Sequence, residues 1–239
     1  MIKPNLQERE RAMKTRFSSL RFANARVSEA WRRERSSLRE EKKLWKKGYK
    51  RVACLDEAGR GALAGPVVAG AVILIQNTKY KLQNTKLKDS KQLSAQQREK
   101  FHQILTNHPA IKWGIGRVSE RVIDKINILE ATKLAMEKAI RKLNKKPDFL
   151  ILDGNFKINS EIPQKSIVKA DEKVFSCASA SIIAKVTRDR IMQKQAKKYS
   201  QYGFDKHKGY PTKYHRQMLK KYGPCKIHRK TFAPLKKNN

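Results

Sequence analysis

The sequence predicts an α/β fold, a mixed sheet flanked by helices, with a basic helical C-terminal part and a basic helical N-terminal extension over residues 1–48. Three observations lead there. From Tyr49 onward, short apolar runs bounded by Gly and Asp alternate with longer amphipathic stretches, as strands and helices alternate in α/β chains. Several of those apolar runs end abruptly in an acid. Residues 1–48 are instead rich in Lys, Arg and Glu, with no Pro after Pro4 and no Gly before Gly48. Their sparse apolar residues could not build a core, so this segment reads as a charged helix that lies on another surface or stays apart from it. Residues 49–239 read as the main domain.

Taken in order, Val52 to Leu55 and Val67 to Ile75 read as strands. The loop between them holds Gly59, Gly61 and Gly65-Pro66, and the pair could form a hairpin. Ser94 caps a helix running to about Leu105. Lys112 to Val118 reads as a strand, and Ser119 opens a helical periodicity that continues to Leu143. Phe149 to Leu152 is a short apolar strand ending in Asp153-Gly154, and Ser166 to Val168 a briefer one. A long helix is expected from Glu172, its early turns filled by Ser176-Cys177-Ala178-Ser179-Ala180-Ser181. Side chains this small imply a close approach to the sheet.

Charge narrows the function. Lys and Arg number 56 against 21 Asp and Glu, a formal net charge of +35 over 239 residues. Such a surface repels itself until phosphates neutralise it, so nucleic acid is the leading partner and acidic lipid a weaker one. From Ile191 to Asn239, 14 Lys and Arg face a single acid, Asp205, which suits a duplex-gripping surface. No run of about 18 apolar residues offers a spanning helix, and no apolar segment marks the N-terminus for secretion, so an intracellular protein is expected. Cys54, Cys177 and Cys225 are odd in number, far apart in sequence and without CxxC spacing; they read as reduced thiols rather than a disulfide framework or zinc knuckle.

Only eight Asp occur, and the informative acids follow strand-like runs: Asp56-Glu57, Asp153 and Asp171. Singly, each could be a turn or cap residue. Together at one sheet edge they would repel one another unless a divalent cation or cationic partner sat among them. In a protein that holds phosphodiesters, such a cluster is the equipment for two-metal hydrolysis. Spacing alone does not show that they converge.

The segment Asp56-Glu57-Ala58-Gly59-Arg60-Gly61, continuing Ala-Leu-Ala-Gly-Pro-Val-Val-Ala-Gly, resembles the type 2 ribonucleases H, the bacterial ribonuclease HII family. Further blocks resemble that family in the same order: Asp89-Ser90-Lys91-Gln92-Leu93-Ser94, Ile151-Leu152-Asp153-Gly154-Asn155, Lys169-Ala170-Asp171, Ala178 to Asp189, and His207-Lys208-Gly209-Tyr210-Pro211-Thr212. Gly223-Pro224 with Ile227-His228-Arg229 agrees as well. The resemblance covers roughly Tyr49 to Pro234. It implies a ribonuclease H-like fold and an endonuclease that cuts the RNA strand of RNA/DNA hybrids and nicks duplex DNA 5′ of a lone ribonucleotide, leaving 3′-hydroxyl and 5′-phosphate ends. It makes Asp56, Glu57, Asp153 and Asp171 the catalytic, metal-binding acids, with Mg²⁺ or Mn²⁺ as cofactor. The loop Gly59-Arg60-Gly61 would read the ribose 2′-hydroxyl, and Tyr210 would stack on the adjoining deoxyribose. Lys91, Lys185 and Lys208 are candidates for backbone phosphates, although Lys185 and Asp189 are also spaced as an ordinary helical ion pair.

His207, His215 and His228 lack metal-ligand spacing, so surface or phosphate contact is expected of them. Two departures from the family stand out: Cys177 where Ala is usual, and Cys225-Lys226 in place of Ser/Thr-Pro, which is expected to loosen one turn. A type 3 ribonuclease H is a close rival, but its pattern lacks Gly-Arg-Gly. A noncatalytic nucleic-acid-binding module and a structural ribosome-type protein would have no use for an ordered acid set. A cytoplasmic, nucleoid-associated monomer without membrane contact is the default expectation, and a replication-clamp contact stays open.

Overall fold

The computed structural model describes residues 36–76 and 93–235, all within one unit, residues 36–239. The described elements are helix α1 (Arg39–Lys46), strands β1 (Val52–Ala58) and β2 (Val67–Leu74), helix α2 (Ala95–Asn107), strand β3 (Ile111–Val118), helix α3 (Glu120–Arg141), strands β4 (Phe149–Asp153) and β5 (Gln164–Ile167), and helices α4 (Ala170–Lys173), α5 (Phe175–Lys198), α6 (Phe204–His207) and α7 (Lys213–Tyr222), and each of the five expected strands is among them. The five strands form one mixed sheet in the order β3-β2-β1-β4-β5. β1 runs antiparallel to β2, with Asp56 opposite Gly70, and parallel to β4, with Leu55 opposite Leu152. Every residue of β2 is buried, and every residue of β1 except Glu57. Two covered faces explain why these strands read as continuous apolar runs.

Alternation along β1 sorts its side chains between two cores. Ala53 and Leu55 pack with α3 through Ala131, Ala135, Met136 and Ala139. Val52 and Cys54 face the opposite side, with Ala170, Val174 and Cys177. The small-residue run of α5 allows the close approach that was expected of it: a Cβ on Gly70 would lie 2.5 Å from the Ala180 carbonyl oxygen. Cys54 and Cys177, far apart in sequence, meet here as fully buried thiols that hydrogen-bond one another.

Two helices differ from the expected outline. The periodicity from Ser119 reads as one helix, but Asn127 stands at φ 65° and its Oδ1 accepts the N–H groups of Leu129 and Glu130 at 2.9 and 3.1 Å. An Asn that caps a new turn inside a continuing apolar period leaves no trace in the period itself. The helix expected from Glu172 is two, α4 and α5, separated by extended backbone at Val174.

The C-terminal part is helical, as predicted, and packs Tyr202, Phe204, Leu219 and Ile227 against Leu63, Ala64 and Met192. Its histidines correct the sequence reading, because His215 and His228 are buried. His215 Nδ1 meets the Tyr210 carbonyl at 2.9 Å, and His228 Nδ1 accepts the Cys225 N–H at 2.9 Å. These contacts make His228 Nε2 the donor and His215 Nε2 the acceptor of the 3.0 Å bond between the rings. The same Cys225 bond closes the turn that Cys225-Lys226 was expected to loosen. Among the described residues no helix is long and apolar enough to cross a membrane.

Candidate active site

The site is built where β1 and β4 end side by side. The register Leu55–Leu152 places Asp56 and Asp153 one step further along adjacent strands. Asp171 arrives from the short helix α4, which starts after Lys169 turns the chain through a left-handed conformation, φ 58°. The Ala170 N–H donates to Asp153 Oδ1 at 2.8 Å and ties that helix to β4. One carboxylate oxygen from each of Asp56, Asp153 and Asp171 then lies within 4.8 Å of the others. The cluster stands over central strands rather than at the lateral edge of the sheet, because β1 is third of five.

Electrostatics make the grouping costly without a cation. Asp56 and Asp171 are almost fully buried. Burial first, then the charges of Glu57 and Asp153, push the Asp56 carboxyl well above its ordinary range, against a hydrogen bond from Ser181. Burial also raises Glu57 to about 7, helped by Asp153 and Asp171 and opposed by Arg60. Glu57 is not one of the three clustered oxygens. It adjoins them, with Oε1 3.4 Å from Arg60 Nη1 and Oε2 buried without a hydrogen-bond partner. An all-carboxylate donor set that includes the unsatisfied Glu57 Oε2 fits a hard divalent cation such as Mg²⁺ or Mn²⁺, and offers none of the nitrogen or sulfur that softer metals prefer.

The loop Gly59–Pro66 is held by Arg188 and Arg229, both fully buried, a role that the sequence blocks containing them do not reveal. Arg229 donates to the carbonyls of Gly59, Arg60 and Gly65 at 2.7 to 3.0 Å. Arg188 donates to Ala64, Pro66 and Lys208 at 2.9 to 3.0 Å. Two guanidinium groups sunk among carbonyls are legible only as Arg in a basic chain until the fold shows what surrounds them. Gly59 stands at φ 95°, and a side chain there would collide with Arg188. Gly61 has open space where its side chain would be. Arg60 lies 5.6 Å from the Phe156 ring centroid.

Tyr210 enters the same neighbourhood through Arg188, whose guanidinium carbon lies 5.3 Å from its ring centroid, and Lys185, whose Nζ lies 5.7 Å away. Lys185 makes the helical ion pair that its spacing allowed, 2.6 Å from Asp189. Lys208 donates to the Asp205 carbonyl, and burial, with Lys185 nearby, lowers its ammonium below the usual range. Lys91 lies outside the described residues together with Asp89, Ser90 and Gln92 of its block, as do residues 1–35 of the basic extension.

Comparison with known proteins agrees with this geometry. Residues 53–235 match the family model described as Ribonuclease HII. A curated ribonuclease HII from Chlamydia muridarum is 51% identical over 193 residues, covering 81% of this chain and 87% of that protein. Among solved structures, the ribonuclease H2 of Pyrococcus horikoshii superposes with a TM-score of 0.64 at 31% identity, over 77% of this chain and 95% of that one. The ribonuclease HII of Archaeoglobus fulgidus, solved as a complex with PCNA, gives a TM-score of 0.64 at 26% identity, over 79% of this chain and 96% of that one.

Proposed function

This chain belongs to the ribonuclease HII family of metal-dependent ribonucleases H, and on that premise we propose that it hydrolyses the RNA strand of RNA/DNA hybrids and nicks duplex DNA 5′ of a single embedded ribonucleotide. The observation that carries the reading is the convergence of Asp56, Asp153 and Asp171 beside a Gly-Arg-Gly loop. These acids and Glu57 would hold Mg²⁺ or Mn²⁺. When bound, a pair of such ions supplies the acidity that generates a nucleophile from water and stabilises the leaving 3′ oxygen. Ser181 orients Asp56, and the Ala170 N–H orients Asp153.

Arg229 and Arg188 keep the Gly59–Pro66 loop in one conformation, so its backbone and Arg60 meet a ribose without reorganising first. The 2′-hydroxyl is the group that separates RNA from DNA at such a loop. Tyr210 supplies a flat face for the neighbouring deoxyribose, and Lys185 and Lys208 supply charge for the backbone. Water attacks phosphorus in line, the P–O3′ bond breaks, and the products carry 3′-hydroxyl and 5′-phosphate ends. We place the enzyme in the cytoplasm, at the nucleoid, as a monomer.

The test is cleavage of an end-labelled DNA duplex carrying one ribonucleotide, with Mg²⁺ or Mn²⁺, beside an all-DNA duplex and the Asp56→Asn protein. A single nick 5′ of the ribonucleotide is expected, absent from both controls. Asp56→Asn should lower the rate about a hundredfold or more, yet bind the duplex no more weakly, since it removes a negative charge facing phosphates. Cleavage of a continuous hybrid alone would indicate a type 3-like specificity. Binding without any cleavage would indicate a noncatalytic module.

A further inference from the structure

We propose that Glu41, which precedes the family-matched residues 53–235, is a positioning residue for the metal-binding acids, because it fixes the first turn of α5 and through it the placement of Asp171 and Asp56. The proposal rests on the reading of the acid cluster given above. α5 begins without a cap of its own: its N-cap residue is Val174, which has no side-chain acceptor. The first N–H groups of a helix nonetheless need partners. They find them in the segment before β1. The Ser37 carbonyl accepts the Phe175 N–H at 3.1 Å. Glu41 Oε1 accepts the Ser176 N–H at 3.0 Å and the Ser176 hydroxyl at 2.9 Å. The Ser37 N–H donates back to the Lys173 carbonyl at 3.0 Å, forming a short parallel bridge with Val174.

Residues 37–41 therefore grip both sides of the break between α4 and α5. On one side of it lies Asp171, three residues before Val174. On the other lies Ser181, five residues after Ser176, whose hydroxyl bonds Asp56. Leu44 of α1 packs in the same cluster as Ala170 and Val174, and the Ala170 N–H holds Asp153. Glu40 reaches Lys165 on β5 at 3.1 Å. Each of the three clustered carboxylates is thus supported from a junction that α1 clamps.

A carboxylate 1% exposed loses most of its hydration, and a helix N-terminus is the place where that loss is best offset. A purely stabilising cap would lower the unfolding temperature when removed and leave the site unchanged. A positioning cap also moves the ligands. Partners that orient metal ligands characteristically change metal affinity 10- to 100-fold when removed, and Glu41 acts through one more residue, so about tenfold is expected.

The experiment measures Mn²⁺ binding to metal-stripped, full-length protein from the electron paramagnetic resonance signal of free Mn²⁺, together with cleavage as a function of Mn²⁺ concentration. Glu41→Ala is expected to weaken Mn²⁺ binding about tenfold and to raise the half-saturating Mn²⁺ concentration in parallel. Glu41→Gln, which keeps an acceptor for the Ser176 N–H, should bind as the native protein does. Native Mn²⁺ affinity in folded Glu41→Ala would overturn the proposal, and so would a loss in Glu41→Gln as large as in Glu41→Ala. If Glu41→Ala does not fold, Ser176→Ala removes the hydroxyl bond alone and should give a smaller shift in the same direction, with an unchanged affinity overturning the proposal. Asp171→Asn separates the two readings. Undiminished binding there would overturn the acid cluster as the metal site, whereas lost binding there with native affinity in Glu41→Ala would overturn only the role of Glu41.

Discussion

A guanidinium buried without a carboxylate partner is held by the acceptors around it, and those acceptors come to depend on it in turn. Arg229 donates to three carbonyls of one loop, those of Gly59, Arg60 and Gly65. Removing it leaves several desolvated oxygens unpaired, so Arg229→Ala should lose about 3 kcal/mol or more of stability. Arg229→Lys should not restore it, because one ammonium cannot reproduce a planar fork. Urea unfolding of the three proteins measures this, and a loss below about 1 kcal/mol would refute the account. The acids show the converse. Asp56, Glu57, Asp153 and Asp171 were legible in the sequence by their place after strand-like segments and by resemblance, whereas the importance of Arg188 and Arg229 was not. An Arg in a chain of net charge +35 looks like any other until burial singles it out.

At the scale of elements, the C-terminal part is joined by a neutral histidine pair linking α7 to the segment after it. Protonating either ring would set two N–H groups face to face, and burial, with the neighbouring ring, lowers both His215 and His228 from 6.5 to about 4. The unfolded chain then binds protons below pH 6.5 that the folded chain does not. Stability from this pair is present above about 6.5 and is lost as pH falls through about 4. His207, stacked on His215, is lowered too and adds to the trend. Thermal midpoints between pH 7 and pH 4 should fall, and the fall should be shallower in His228→Asn, which starts less stable. Equal slopes would assign the acid sensitivity to other groups. The same scale explains the misplaced element boundaries. Asn127 and Val174 interrupt helices whose apolar spacing runs on unbroken, because the backbone groups freed at each break find acceptors, in the Asn127 side chain at one and in a strap from elsewhere in the chain at the other.

For the whole molecule the governing quantity is charge. Residues 1–35 hold ten Lys and Arg against four Glu, and the clamp on α5 begins only after them. Deleting residues 1–35 should flatten the dependence of log binding constant on log salt by roughly 0.9 for each phosphate the segment neutralises, with the metal site intact. An unchanged slope in a filter-binding titration would show that this segment does not hold the duplex. The sequence by itself determined the order of the strands and the main helices, the cationic character, the four candidate acids and the family. Those depend on composition and on short-range spacings, which a linear chain of residues displays directly. Only the tertiary structure decided that Asp56, Asp153 and Asp171 converge while Glu57 stands beside them, that Arg188, Arg229, His215 and His228 are buried, and that Glu41 caps a helix 135 residues away. Burial and pairing of that kind arise when distant segments exclude water together, and no local pattern carries the information.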